Sequence, residues 1–220
     1  MTQSNAFISA LGLPGCGKTT VMREVARILG TDYYFPEPEE KYWGEAVKDR
    51  EIVGYFTGLM WFRSNRIPNL IKARKLYEQG NNVVVDSYYD KAVKSYLGKK
   101  GMEWLIDDQD DYFDVSSEIA ALDWYSLPNV THLVTFELTK EVWLRNLNIR
   151  NRNLDNNKDL LKSFGTQRYF IEAAAQLSDE FGIQHINIEV KDMSVTETAE
   201  KIAEMIESKE LTYHGGVQTV

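Results

Sequence analysis

Apolar positions along this chain follow two alternating rhythms. Unbroken runs bounded by turn residues, at Ala6–Leu11, Asp32–Phe35, Val83–Asp86, Leu133–Leu138 and Gln184–Ile188, have the length and make-up of buried strands. Between them, apolar residues recur at three- and four-residue spacing. That spacing predicts helices over Lys18–Leu29, Glu51–Gln79, Lys91–Leu97, Ser117–Tyr125, Thr139–Arg150, Asp159–Phe181 and Val195–Glu207. Pro68 falls inside the second of these, where its missing N–H and its ring predict a kink or an interruption. Thr139 with Glu141, and Ser194 ahead of Val195, supply side-chain oxygens for helix starts. Strand–helix alternation throughout predicts an α/β fold. Its core is a doubly wound five-stranded parallel sheet with helices on both faces, and its active site lies outside the carboxyl ends of the strands.

Two stretches break the rhythm. Glu103, Asp107, Asp108, Asp110, Asp111, Asp114, Glu118 and Asp123 follow one another with no Lys or Arg between them. They read as a solvated acidic insertion at about residues 99–118, without the fixed spacing and Gly of a calcium loop. Residues 211–220 are Gly-containing and weakly patterned, and read as a mobile tail. There is no internal repeat or low-complexity tract, and a length of 220 residues suits a single domain with an insertion. A hydrophobic fraction of 43% suffices for a sizeable core, and a formal charge of −8 argues against extended contact with a nucleic-acid backbone. Cys16 is the single cysteine, which excludes an internal disulfide and suits a reducing compartment. No apolar run approaches the roughly 18 residues of a membrane span, and the polar Met1–Asn5 is unlike a secretory signal. The expected location is cytoplasmic.

The chemistry begins at Gly12-Leu13-Pro14-Gly15-Cys16-Gly17-Lys18-Thr19, which satisfies G-x-x-x-x-G-K-[ST] between an apolar strand and a helix. Glycines let successive backbone N–H groups turn inward around phosphates, and the helix that follows directs its positive end at the anion. Lys18 supplies a charge near the β- and γ-phosphates, and Thr19 offers a hydroxyl to Mg²⁺. With Thr20 beside it, this stretch is the expected ATP-binding segment. Cys16 holds a variable position with no His near it in sequence, so it reads as packing rather than as a nucleophile. His132, His185 and His214 are too widely spaced for a metal grouping.

Further motifs follow in order. Phe35-Pro36-Glu37-Pro38 closes the second strand, Val83-Val84-Val85-Asp86-Ser87-Tyr88 closes the third, and Arg150-Asn151-Arg152 with Asp155 follows the helix after the fourth. With the phosphate loop, they make the chain resemble the deoxynucleoside kinase and thymidylate kinase superfamily of P-loop nucleoside and nucleotide kinases. The resemblance runs over nearly the whole chain in element order. It implies a P-loop kinase-like fold, ATP with Mg²⁺, and a small-molecule acceptor. It makes Glu37 the base that takes the proton of an attacking hydroxyl, which must be shed as the new bond forms. It makes Asp86 a Mg²⁺ ligand alongside Thr19. It also makes residues 150–157 a lid whose Arg150 and Arg152 stabilise charge on the transferring group, with Asp155 beside the substrate.

The chain also departs from the family. Ser87 stands where the family has an Arg at the acceptor end, and Phe56-Thr57 replaces a Phe-Gln pair that reads the base. Asn146 holds the register of a further family Arg, with Arg145 one residue away, so that role is not carried over. The acceptor pocket implied is Tyr42, Thr57, Trp61, Arg63, Arg66 and Asp155. Arg63 and Arg66, one turn apart, share a face suited to a phosphate or a base, while Tyr55, Trp61 and Phe62 read as core rather than as base-stacking platforms. The leading reading is ATP-dependent phosphorylation of a nucleoside or a related hydroxyl, with a nucleoside monophosphate as the alternative acceptor. A P-loop module that binds nucleotide without transferring phosphate is the reading from another class. Nucleic acid and membrane are not expected partners, and monomer and homodimer both stay open.

Overall fold

The computed structural model of the chain describes residues 5–150, 163–191 and 193–208. β1 (Phe7–Leu11) is buried at every position, because it lies at the centre of the sheet with helices on both faces. On one side it pairs in parallel with β3 (Val83–Val85), which pairs in turn with β2 (Tyr34–Phe35). On the other it pairs with β4 (His132–Leu138), and β4 pairs with β5 (Gln184–Val190). The order is β2-β3-β1-β4-β5, all parallel, as the strand–helix alternation predicts. Parallel strands all end at the same edge, so the loops leaving β1, β2 and β3 are brought side by side there.

The helices follow the predicted pattern with informative exceptions. α1 (Lys18–Ile28) follows β1 directly. The expected helix over Glu51–Gln79 is instead α2 (Glu45–Lys48), α3 (Arg50–Val53) and the long α4 (Tyr55–Glu78). The break is at Gly54, whose φ of 94° no helix accommodates. Pro68 does not interrupt α4; it is exposed, where the carbonyl it leaves unbonded can meet water. β2 begins at Tyr34 rather than Asp32, because Tyr34 N donates to Asp32 O in a local turn. α5 (Tyr89–Ala92) is one turn continued by a 3-10 turn over Val93–Ser95.

α6 (Phe113–Ser126) starts ahead of the expected Ser117. Asp107, Asp108, Asp111 and Asp114 are exposed, but Asp123 at the end of the acidic stretch is buried, as are Met102 and Ile106 within it. α7 (Lys140–Arg150) follows β4. α8 (Gln167–Phe181) follows a 3-10 turn over Ser163–Thr166, and its expected first residues, 159–162, lie outside the described residues. α9 (Val195–Glu207) starts on a reciprocal cap, with Ser194 Oγ accepting from Glu197 N and the Glu197 carboxylate accepting from Ser194 N. Residues 151–157 of the expected lid and the expected tail, 211–220, are likewise outside the described residues. No helix among the described residues is long and apolar enough to cross a membrane.

Candidate active site

The loop after β1 closes tightly on itself. Gly15 has a φ of 82°, and a Cβ there would lie 2.4 Å from Leu147 Cδ2 of α7, so both conformation and space require glycine. Gly17, also left-handed at φ 94°, opens α1 and points its first N–H groups into the loop. Lys18 is buried, and its Nζ donates to Gly12 O at 3.0 Å and Leu13 O at 3.1 Å, 3.8 Å from Cys16 Sγ. Burial alone would lower its pKa. The neighbouring Cys16, Tyr89 and Glu37 outweigh that and hold the ammonium above the ordinary lysine range. Leu13 and Cys16 pack into the core as filler, Thr20 is exposed, and Pro14 O accepts a hydrogen bond from Trp143 Nε1 at 2.8 Å.

Adjacent strand ends bring two carboxylates to this loop. Asp86 directly follows β3 and accepts from Thr19 Oγ1 at 2.7 Å; Glu37, beyond β2, donates its backbone N–H to the same Asp86 oxygen at 3.4 Å. Burial first, and then the charge of Glu37, push the Asp86 carboxyl up to about 6, against the opposing Thr19 hydroxyl and Lys18. Its Oδ1 is buried with no protein partner, as is the hydroxyl of Ser87. An orphaned carboxylate oxygen beside a threonine hydroxyl fits a divalent cation or one of its waters. Among the described residues no three of His, Cys, Asp or Glu gather into a metal site. A cation here would therefore draw its other ligands from phosphate and water.

The acceptor side differs from the sequence expectation. Arg63 and Arg66 are one turn apart on α4, but neither guanidinium is presented bare. Arg63 forks onto Asp123 of α6 at 2.7 and 2.8 Å. Arg66 forks onto Asp90 of α5 at 2.8 and 2.9 Å and reaches Glu37 Oε1 at 3.5 Å. Each arginine of the expected anion-binding face thus already has a carboxylate partner. Trp61 packs edge-on against Phe62 at 5.2 Å, and Trp43 does the same from the other loop at 5.3 Å. Thr57 is exposed with its hydroxyl on Val53 O, and Tyr42 is 67% exposed; neither bonds to the Glu37–Asp86 cluster. Arg150 is the last residue of α7, while Arg152 and Asp155 lie outside the described residues.

Two residues that sequence reasoning missed tie the halves together. The Tyr89 hydroxyl donates to Gly12 O; Lys18 Nζ lies 5.1 Å and the Arg66 guanidinium 5.5 Å from its ring centre. Asp90 is the other. Each follows the motif strand in sequence, but nothing local marks them, since their partners lie on α1 and α4. A surface groove of about 610 Å³ lies elsewhere, against α6 and α8, and shares none of its lining residues with this cluster.

No protein-family profile matches this chain, and no curated protein does. Solved structures do. A deoxyadenosine kinase from M. mycoides with bound dATP superposes with a TM-score of 0.66 at 17% identity, over 91% of this chain and 99% of that one. Thymidylate kinase from Candida albicans gives 0.62 at 15% identity, over 93% and 92%. Shikimate kinase from Acinetobacter baumannii, in complex with shikimate, gives 0.55 at 18% identity, over 96% and 97%. At such identities the likeness speaks for the fold, and this chain has the P-loop kinase-like α/β fold with its five parallel strands in the order 2-3-1-4-5.

Proposed function

We propose that this chain is a cytoplasmic phosphotransferase that moves the γ-phosphoryl group of ATP to a hydroxyl of a nucleoside or a related small molecule. The observation that carries the reading is the position of Glu37. It is a half-buried carboxylate held beside Asp86 at the strand ends that flank the Lys18 loop. A phosphate loop by itself only binds; a carboxylate open to an acceptor adds a proton sink for transfer. In that role the acceptor oxygen gives its proton to Glu37 and its lone pair to the γ-phosphorus. The bond from phosphorus to the bridging oxygen breaks, and its electrons leave with ADP. Lys18 and the loop N–H groups hold the phosphates, and Thr19 with Asp86 would hold Mg²⁺, which supplies charge neutralisation when bound. Arg150, the last residue of α7, would stabilise charge on the transferring group. The carboxylates already carried by Arg63 and Arg66 favour a neutral alcohol over a monophosphate as acceptor.

The test is turnover of labelled ATP against the common deoxynucleosides, their monophosphates and shikimate. A phosphorylated nucleoside is the expected product. Glu37→Gln should lower kcat by about 10²–10⁴-fold while leaving ATP affinity nearly unchanged. Tight ATP binding with no transfer to any of these acceptors would instead favour the non-catalytic binding module.

A further inference from the structure

Arg66 stands between two carboxylates with unequal holds on it. Its Nε and Nη2 donate to both oxygens of Asp90 at 2.8 and 2.9 Å, whereas its Nη1 is 3.5 Å from Glu37. A guanidinium within reach of a carboxylate settles by default into a two-bond fork, which occupies both carboxylate oxygens. Glu37 has little means of retreat: Pro38 restricts it to extended backbone, and its N–H is directed at Asp86. The neighbouring acid, Asp123, offers Arg66 no alternative, because Arg63 forks onto it. The side chain of Asp90 is 9% exposed and that of Glu37 30%, so the arginine is anchored on the drier partner and the wetter one is left open.

We propose that Asp90 is a positioning residue that holds the Arg66 guanidinium off Glu37, so that the carboxylate oxygens of Glu37 stay open to the acceptor hydroxyl. This rests on the reading of Glu37 as proton acceptor. It assigns the Arg66–Asp90 pair a part in keeping the base available, separate from any contact with the acceptor. Charge balance agrees: the fork is neutral as a unit, and its loss would leave a buried cation whose nearest anion is Glu37.

The test uses Asp90→Asn, which keeps the shape and removes the charge, with Arg66→Met and the double variant. All are assayed on the best wild-type acceptor among the common deoxynucleosides and their monophosphates, and folding is followed by thermal melting. Asp90→Asn should lower kcat by about 10²-fold. Adding Arg66→Met should raise kcat again by about tenfold or more, even where the acceptor KM stays high. A merely structural pair, or an arginine needed for the chemistry itself, predicts that the double variant is no faster than Asp90→Asn, and that result overturns the proposal. If Asp90→Asn does not fold, the double variant is compared with Arg66→Met, since neither leaves an arginine to close on Glu37; equal or higher kcat supports the proposal and a further drop overturns it. A crystal structure of Asp90→Asn decides the point without any acceptor. Arg66 should then lie on both Glu37 oxygens at about 2.7–2.9 Å, and a guanidinium that stays at its present distance refutes the idea. Absence of transfer by the wild type would sink the kinase reading, while the crystal structure would still judge the proposal.

Discussion

Lys18 lies between two carbonyls of its own loop and the ring of Tyr89, a cradle that holds its ammonium at the loop. Lys18→Ala should lower turnover by about 10²–10³-fold or more, as loss of a charge aimed at the reacting group does. ATP affinity should fall with it and the melting temperature should hold; unchanged turnover would refute the assignment. The shape of the Gly12–Thr19 loop was legible residue by residue, because it is a local motif whose geometry its own glycines dictate. The acceptor side was not. Spacing shows that Arg63 and Arg66 share a face, but only the packing of α5 and α6 shows that Asp90 and Asp123 already hold them. Thr57 was placed by register alone, and its hydroxyl turns back onto its own helix.

α7 also braces the phosphate loop. Trp143 donates to the phosphate loop at Pro14 O, its ring packs 5.6 Å from Phe164, and Leu147 lies against Gly15. Trp143→Phe removes one hydrogen bond, typically a loss of about 0.5–1.5 kcal/mol, and leaves a gap where the fully buried indole was. The affinity for a non-hydrolysable ATP analogue should fall by about two- to twelve-fold, and the melting temperature should drop by about 2–4 °C per kcal/mol lost, as calorimetry would show; unaltered affinity would mean that the loop holds its shape without this brace. The strands and most helices were legible because apolar period follows burial directly. α9 was read to the residue, because Ser194 and Glu197 form a local cap. The break before α4 was missed because apolar spacing continues across Gly54, and only the left-handed backbone there divides it. β2 was overread at its start because Asp32 and Tyr33 enter it through a local turn, with Tyr34 N donating to Asp32 O, which apolar spacing does not reveal.

At the scale of the molecule, acid should loosen the fold. Burial pushes His132 down to about 4 from an ordinary 6.5, and lowers His185 in the same way. The folded chain keeps these rings neutral where the unfolded chain protonates them, so unfolding takes up protons and stability falls as pH drops from about 6.5 towards 4. The melting temperature should therefore be several degrees lower at pH 5 than at pH 7.5. His132→Gln should narrow that gap, and an unchanged gap would place the acid sensitivity elsewhere. The same long-range architecture has a consequence for how the protein comes into being. β1 is completed only by pairing with β3 and β4, and α1, which springs from the phosphate loop, is backed by α9. On the ribosome, Gly12–Thr19 therefore emerges long before the segments that shape it. A nucleotide bound at the finished loop would guard the fold against unfolding, but it would find no formed cradle in the nascent chain and so could not serve as a template for folding.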